Sequence, residues 1–317
     1  MASPSESKSS IKGLHHVTAL CGDPKTNHSF YTGVLGLRLV KRTVNFDDPG
    51  TYHLYYGDGA GSPGTILTFF PWLGMPRGRP GSGQTAATAF RTGASSLDWW
   101  MRRLRDSKVP VSGPTKRFGE SVIEFSDPDG LGLEIVAAEG PPPAAPAWGR
   151  SPVPAEHALC GFHSVTLSEA ARGATDAVLS GQMGYEVMGE EGGRFRYRAP
   201  GAGAASLLDI LVQPGGRPGL QGAGTVHHIA FRVGDETAQL GWREKLGRSG
   251  LNVSPVMDRS YFHSIYYREP GGVLFEIATD GPGFATDEKA ESIGERLMLP
   301  AQYEAARSQI ERSLPPL

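Results

Sequence analysis

The chain has 317 residues, 20% of them charged, with a formal net charge of -2 and an isoelectric point of about 6.5. At roughly 100 to 200 residues per domain this is room for two domains, and the balanced charge excludes a basic surface for nucleic acid or anionic lipid. Cys21 and Cys160 lie far apart in no CxxC spacing, which excludes a disulfide framework and a cysteine metal site and points to a reducing, cytoplasmic setting.

Residues 1–10 are polar and serine-rich, with no apolar run of the kind a signal peptide or membrane span needs, so they read as a disordered tail. Gly13-Leu14-His15-His16-Val17-Thr18-Ala19-Leu20 alternates as a strand, and 24–35 reads as helix, closed by Gly36 before a new strand at Leu37-Arg38-Leu39-Val40. Further on, Thr65 to Phe70 is a strand without a carboxylate, Ala86 to Thr92 is another, and 96–107 is helical. A turn at Asp127-Pro128-Asp129-Gly130 then leads into a strand carrying Glu134.

Residues 141–154, rich in Pro and Ala, read as a linker. Beyond it the order repeats: a strand at Gly161-Phe162-His163-Ser164-Val165-Thr166-Leu167, helix over 169–180, a glycine turn at Gly184, and a strand holding Asp209. Val226-His227-His228-Ile229-Ala230-Phe231 is a strand again and 236–249 a helix. Glu269-Pro270-Gly271-Gly272 opens the strand of Glu276, and helix-forming residues run over 287–314.

The segments starting at Gly13, Ala86, Gly161 and Val226 are copies of one another, and such self-similarity fixes architecture more firmly than local propensity. Glu134 and Glu276 stand 142 residues apart, and Ala87 and His228 stand 141 apart, so the halves match with one gap. The expected fold is α+β, with four βαβββ modules forming two incomplete barrels. Modules one and two occupy 11–140, modules three and four 155–282, and a C-terminal helical extension 283–317.

Neighbouring strand residues face opposite ways, so one histidine of His15-His16 and one of His227-His228 can enter a cavity. The single His163, followed by Ser164-Val165-Thr166, is aligned with His16 and with His228, which selects the second of each pair. If modules one and four share a barrel, His16, His228 and Glu276 form a two-histidine, one-carboxylate face with open positions, suited to non-heme Fe(II). Modules two and three would then share Glu134, His163 and Asp209, a set less suited to Fe(II), with the two carboxylates read as relics or solvated. If modules three and four paired instead, His163 would replace His16.

The repeated modules resemble the vicinal oxygen chelate superfamily, which includes glyoxalase I, bleomycin-resistance proteins and extradiol dioxygenases. Longer stretches, among them His15-His16-Val17-Thr18, the run from Phe30 to Asp58 and Gly272 to Asp280, resemble its ring-cleaving hydroquinone dioxygenases, including the chlorohydroquinone enzymes. The resemblance implies that modules one and four build the metal site, with His16, His228 and Glu276 as ligands of Fe(II), and Mn(II) or Zn(II) as substitutes. It also implies functional roles for His15, Thr18, His227, Arg259 and Tyr266. Arg259 would stabilise developing anionic charge, Tyr266 would hydrogen-bond at the metal, and His227 would exchange protons.

The partners so implied are a small aromatic substrate and O2, with no nucleic acid and no membrane, in a chain free to form a homo-oligomer. Phe69, Phe70, Trp72 and Phe262 are candidates to line a slot for the ring, against the plainer role of core packing. Rival activities are cleavage of a catechol, a glyoxalase-like isomerisation on a redox-inert metal, and binding of an aromatic or antibiotic without turnover.

Overall fold

The computed structural model describes residues 10–138 and 148–317. Most of the expected tail at 1–10 and part of the linker at 141–154 lie outside the described residues.

Module one contributes β1 (Leu14–Cys21), β2 (Arg38–Asn45), β3 (Asp48–Gly57) and β4 (Ile66–Pro71). Module two contributes β5 (Gln84–Gly93), β6 (Val111–Arg117), β7 (Glu120–Ser126) and β8 (Gly132–Ala138). Module three holds β9 (Phe162–Glu169), β10 (Glu186–Glu191), β11 (Arg194–Arg198) and β12 (Leu207–Val212). Module four holds β13 (Thr225–Val233), β14 (Met257–Asp258), β15 (Phe262–Arg268) and β16 (Leu274–Pro282).

These strands form two eight-stranded sheets of mixed α+β architecture, in the orders β14-β15-β16-β13-β1-β4-β3-β2 and β10-β11-β12-β9-β5-β8-β7-β6. Modules one and four therefore share one curled sheet, modules two and three the other. β1 and β13 pair antiparallel at the centre of the first sheet, as β5 and β9 do in the second.

The chain passes between sheets twice, after β4 and after β12, and the two crossing segments lie against each other. Arg79 and Leu220 exchange backbone hydrogen bonds of 2.8 and 2.9 Å, and Arg77 bridges to Ala223. The contact requires glycine: a Cβ on Gly222 would sit 2.5 Å from the Pro76 carbonyl oxygen, and one on Gly78 2.8 Å from that of Leu220.

Even the local irregularities repeat. Asp23 caps the helix Pro24–His28 by accepting from the Lys25 and Thr26 amides, and the next turn widens so that Leu35 N bonds Phe30 O at 3.1 Å. Module three widens at the same place, with Met183 N on Val178 O at 2.9 Å. Both turns end on a glycine in the left-handed region, Gly36 at φ 71° and Gly184 at φ 76°, a backbone conformation that strains any residue with a side chain. The other two modules carry regular helices, Leu97–Asp106 and Glu236–Arg248.

The C-terminal extension is less helical than its composition suggests. Its one α-helix is Arg307–Ser313, preceded by short 3-10 segments. What holds it is tertiary: Lys41, fully buried on β2, makes 2.6 Å ion pairs with Asp287 and Glu288 and lies 4.7 Å from the centre of the Tyr261 ring. No described helix is long and apolar enough to cross a membrane.

Candidate metal centre

Because β1 and β13 are neighbours with Thr18 opposite His228 and His16 opposite Ala230, the two histidines project from adjacent strands two residues out of step. β16 lies beside β13 with Glu276 opposite Ala230, which brings the carboxylate to the same place. Glu276 Oε2 is 2.9 Å from His228 Nε2 and 3.3 Å from His16 Nε2, and the two ring nitrogens are 3.3 Å apart. All three side chains are buried, Glu276 completely.

These contacts fit an ion better than a hydrogen-bond network. Glu276 Oε2 is buried and accepts no hydrogen bond of normal geometry, although ligand-type atoms of two histidines face it. Metal bonds of about 2.1 Å set donors about 3 Å apart at right angles, close to the spacing observed. Among the described residues this is the group of His, Asp, Glu or Cys able to hold a metal ion.

The surroundings orient the donors. Ser264 Oγ donates to Glu276 Oε1 at 2.5 Å, leaving Oε2 for the histidines. His15 Nδ1 and His16 Nδ1 are 2.9 Å apart, and His227 Nδ1 and His228 Nδ1 2.8 Å apart. With Nε2 of His16 and His228 committed to a metal, each Nδ1–H donates to the preceding histidine, the usual second contact that fixes a ligand imidazole. Burial, then the neighbouring His228, pushes His227 down to about 3, and burial holds His15 well below its ordinary value. A neutral imidazole that accepts on Nδ1 carries its own proton on Nε2. Burial raises Glu276, but His16 and His228 outweigh it and keep the carboxyl well below the usual range.

Over the three donors lies a cavity of about 240 Å³, lined by Phe70, Trp72, Phe262, His53, Arg259 and Tyr266 among others. Phe69 is fully buried in the core instead, since strand residues alternate between faces. Arg259 Nε donates to the Tyr266 hydroxyl at 3.2 Å, and its Nη1 lies 3.5 Å from Asp47 across the cavity mouth. Burial, then Glu276, pushes the Tyr266 phenol up. Thr18 accepts from Thr68 Oγ1 at 2.8 Å. The structure thus brings His15, His16, Thr18, His227, His228, Arg259, Tyr266 and Glu276 into one neighbourhood. Ser264, Thr68, His53 and Tyr55 were missed from sequence. For Ser264 a signal existed, because it shares a strand face with Tyr266.

The second sheet corrects two expectations. Ser164 stands opposite Ala89 as His16 stands opposite Ala230, so His163 matches His15 rather than His16. The one-residue slip matters because it reverses the face; His163 bonds Ser164 and Glu120. Glu134 and Asp209 are not solvated: both are buried. Glu134 pairs with Arg117 at 2.7 Å, and Asp209 with Arg196 at 2.9 Å and Arg194 at 3.3 Å. Guanidinium groups neutralise the carboxylates where the first sheet would use an ion.

A family model described as the glyoxalase/bleomycin resistance protein/dioxygenase superfamily matches residues 13–135. MhqO of Bacillus subtilis (strain 168), provisionally named a ring-cleaving dioxygenase, is 49% identical over 96% of both chains. The chain belongs to the ring-cleaving dioxygenase family. Another member of this family, the chlorohydroquinone/hydroquinone 1,2-dioxygenase of Sphingobium indicum, is 36% identical over 96% of each chain. A crystal structure described as that of a dioxygenase from Bacillus subtilis superposes with a TM-score of 0.93 at 48% identity, covering 97% of this ring-cleaving dioxygenase and 98% of that chain. Glyoxalase I from Zea mays shares the fold, with a TM-score of 0.64 at 12% identity over 84% and 92% of the chains.

Proposed function

We propose that this chain is an Fe(II)-dependent dioxygenase that opens the ring of a hydroquinone with O2, using His16, His228 and Glu276 as metal ligands. The observation that carries the reading is the convergence of those three donors beneath a small, aromatic-walled cavity. Two neutral nitrogens and one carboxylate on one side, with the opposite side open, suit Fe(II) and leave room for two exchangeable ligands. When bound, such a metal supplies electron transfer between an electron-rich ring and O2.

The protein's own groups do the rest. Phe70, Trp72 and Phe262 exclude water and hold an aromatic ring against the donors. Arg259 places a cation beside the cavity, where it stabilises an aryloxide or a developing carboxylate. Because Arg259 Nε donates to the Tyr266 oxygen, the Tyr266 proton is free to be directed elsewhere. His227, with its proton on Nε2, donates a hydrogen bond into the cavity and so stabilises an oxygen-centred anion. The relative named chlorohydroquinone/hydroquinone 1,2-dioxygenase, 36% identical over 96% of its length, supports a 1,4-diol over a catechol.

The test is anaerobic loading with Fe(II), followed by O2-electrode assays over hydroquinones and catechols. Uptake with a hydroquinone, lost after chelation, is expected. Tight Zn or Ni with no O2 uptake from any diol would replace the reading with redox-inert chemistry.

A further inference from the structure

Four residues outside the ligand set and its flanking histidines, two of them lining the cavity and two buried behind it, form one directed chain. Thr68 Oγ1 donates to Thr18 Oγ1 at 2.8 Å. The same Thr68 oxygen is 2.9 Å from His53 Nε2, and with its own proton already given to Thr18 it accepts from His53 Nε2–H. His53 Nδ1 is then an acceptor, and the Tyr55 hydroxyl, 2.7 Å away, donates to it. Tyr55 is left with lone pairs and no free proton. A group in the cavity meets it as an acceptor only.

The wall bearing this acceptor faces the other polar wall. His53 and Tyr55 alternate on β3 and both line the cavity, while Arg259 and Tyr266 come from the far edge of the same sheet. The curl of the sheet brings the two edges together, as the contact of Arg259 with Asp47 in the turn between β2 and β3 shows. The Tyr55 ring is fixed edge-on against Phe284 at 5.2 Å and Tyr261 at 6.3 Å. In the second sheet the matching positions hold Arg194, Arg196 and Asp209, since Arg196 stands opposite Asp209 as Tyr55 stands opposite Thr68. The neutral chain therefore belongs to the metal-side cavity alone.

We propose that Tyr55, oriented by His53 and Thr68, accepts a hydrogen bond from a free hydroxyl on the ring carbon opposite the metal-bound oxygen, and so selects rings that carry a donor there. This rests on the ring-cleaving reading above. Arg259 and His227 offer only donors and suit anionic oxygens; Tyr55 supplies the acceptor that a protonated hydroxyl requires. Tyr55 is the contact and His53 and Thr68 are positioning residues.

The experiment is calorimetric titration of the Fe(II)-loaded protein under argon with hydroquinone, 4-aminophenol and 4-fluorophenol. The first two carry a donor opposite the phenol oxygen; the third does not. Wild type is expected to bind the donor-bearing rings about tenfold more tightly than 4-fluorophenol. Tyr55→Phe and Thr68→Val are expected to bring that ratio close to one, and Thr68→Ser, which keeps the hydroxyl, to preserve it. Iron content reports whether each variant is intact, and the Thr68 pair carries the test if Tyr55→Phe does not hold iron. Equal binding of all three rings by wild type, or an unchanged ratio in Thr68→Val, overturns the assignment to Tyr55 while O2 uptake leaves the dioxygenase reading standing. Failure of wild type to bind any of the three rings overturns both.

Discussion

Arg117 Nη1 meets Glu134 Oε2 at 2.7 Å, at the place in the second sheet that Glu276 holds in the first. Glu134 stands opposite Ala89 as Glu276 stands opposite Ala230, and Arg117 matches Arg259 by the register of its hairpin. One arginine thus closes on the carboxylate, and the other turns to Tyr266. The difference leaves Glu276 free for an ion.

Arg117→Ala is expected to destabilise the fold by about 3 kcal/mol, because it strands a buried carboxylate. Arg117→Met with Glu134→Leu should recover most of the loss. Urea denaturation of wild type and the two variants measures this, and an Arg117→Ala midpoint equal to wild type would show that the pair is idle.

Replacing His16, His228 or Glu276 by Ala should each abolish retention of iron after dialysis against a weak chelator. Loss of the flanking contact by His15→Phe should lower metal affinity about 10-fold to 100-fold without abolishing it. Metal analysis separates the two classes, and full iron in His16→Ala would remove that residue from the ligand set.

Glu169 ends β9 nearly fully buried, with Oε1 lacking a hydrogen-bond partner. Burial, then the neighbouring Glu269, pushes it up to about 8 from its ordinary 4.5. The folded state therefore holds a proton that the unfolded state has released between those values. Its contribution is complete below pH 4.5 and is lost as pH rises to about 8. Glu169→Gln should flatten the slope and be more stable than wild type at pH 8. Parallel denaturation curves for the two proteins across pH 5.5 to 8 would contradict this.

Lys41→Met should uncouple the C-terminal extension, since it leaves Glu288 buried without its cation. A loss of about 3 kcal/mol is expected, with faster proteolysis after residue 283. Unchanged protease resistance would mean that the extension is held by its apolar contacts, Ile293, Leu297 and Ile310.

Much of this was legible because the chain repeats. The copies around His16, His163 and His228, and the matched strands of Glu134 and Glu276, revealed four modules and a short set of donors before any contact was known. Alternation on a strand identified which residues share a face. The helices at 24–35, 96–107, 169–180 and 236–249 were also visible, to within a few residues, from periodicity and glycine stops.

Which modules meet was decided by the tertiary structure. The pairing of β1 with β13 depends on two crossing segments that touch through Gly78 and Gly222, a contact between residues over 140 positions apart with no local signature. Register was likewise a long-range matter, and a slip of one residue misassigned His163. The sequence by itself determined the repeated fold and the donor chemistry of His16, His228 and Glu276. Only the folded chain decided that those donors converge, that Ser264 turns Glu276 toward them, and that arginines pair with the buried carboxylates of the second sheet. Alternation says which way a side chain points, whereas the identity of its partner is set by strands brought together from distant parts of the chain.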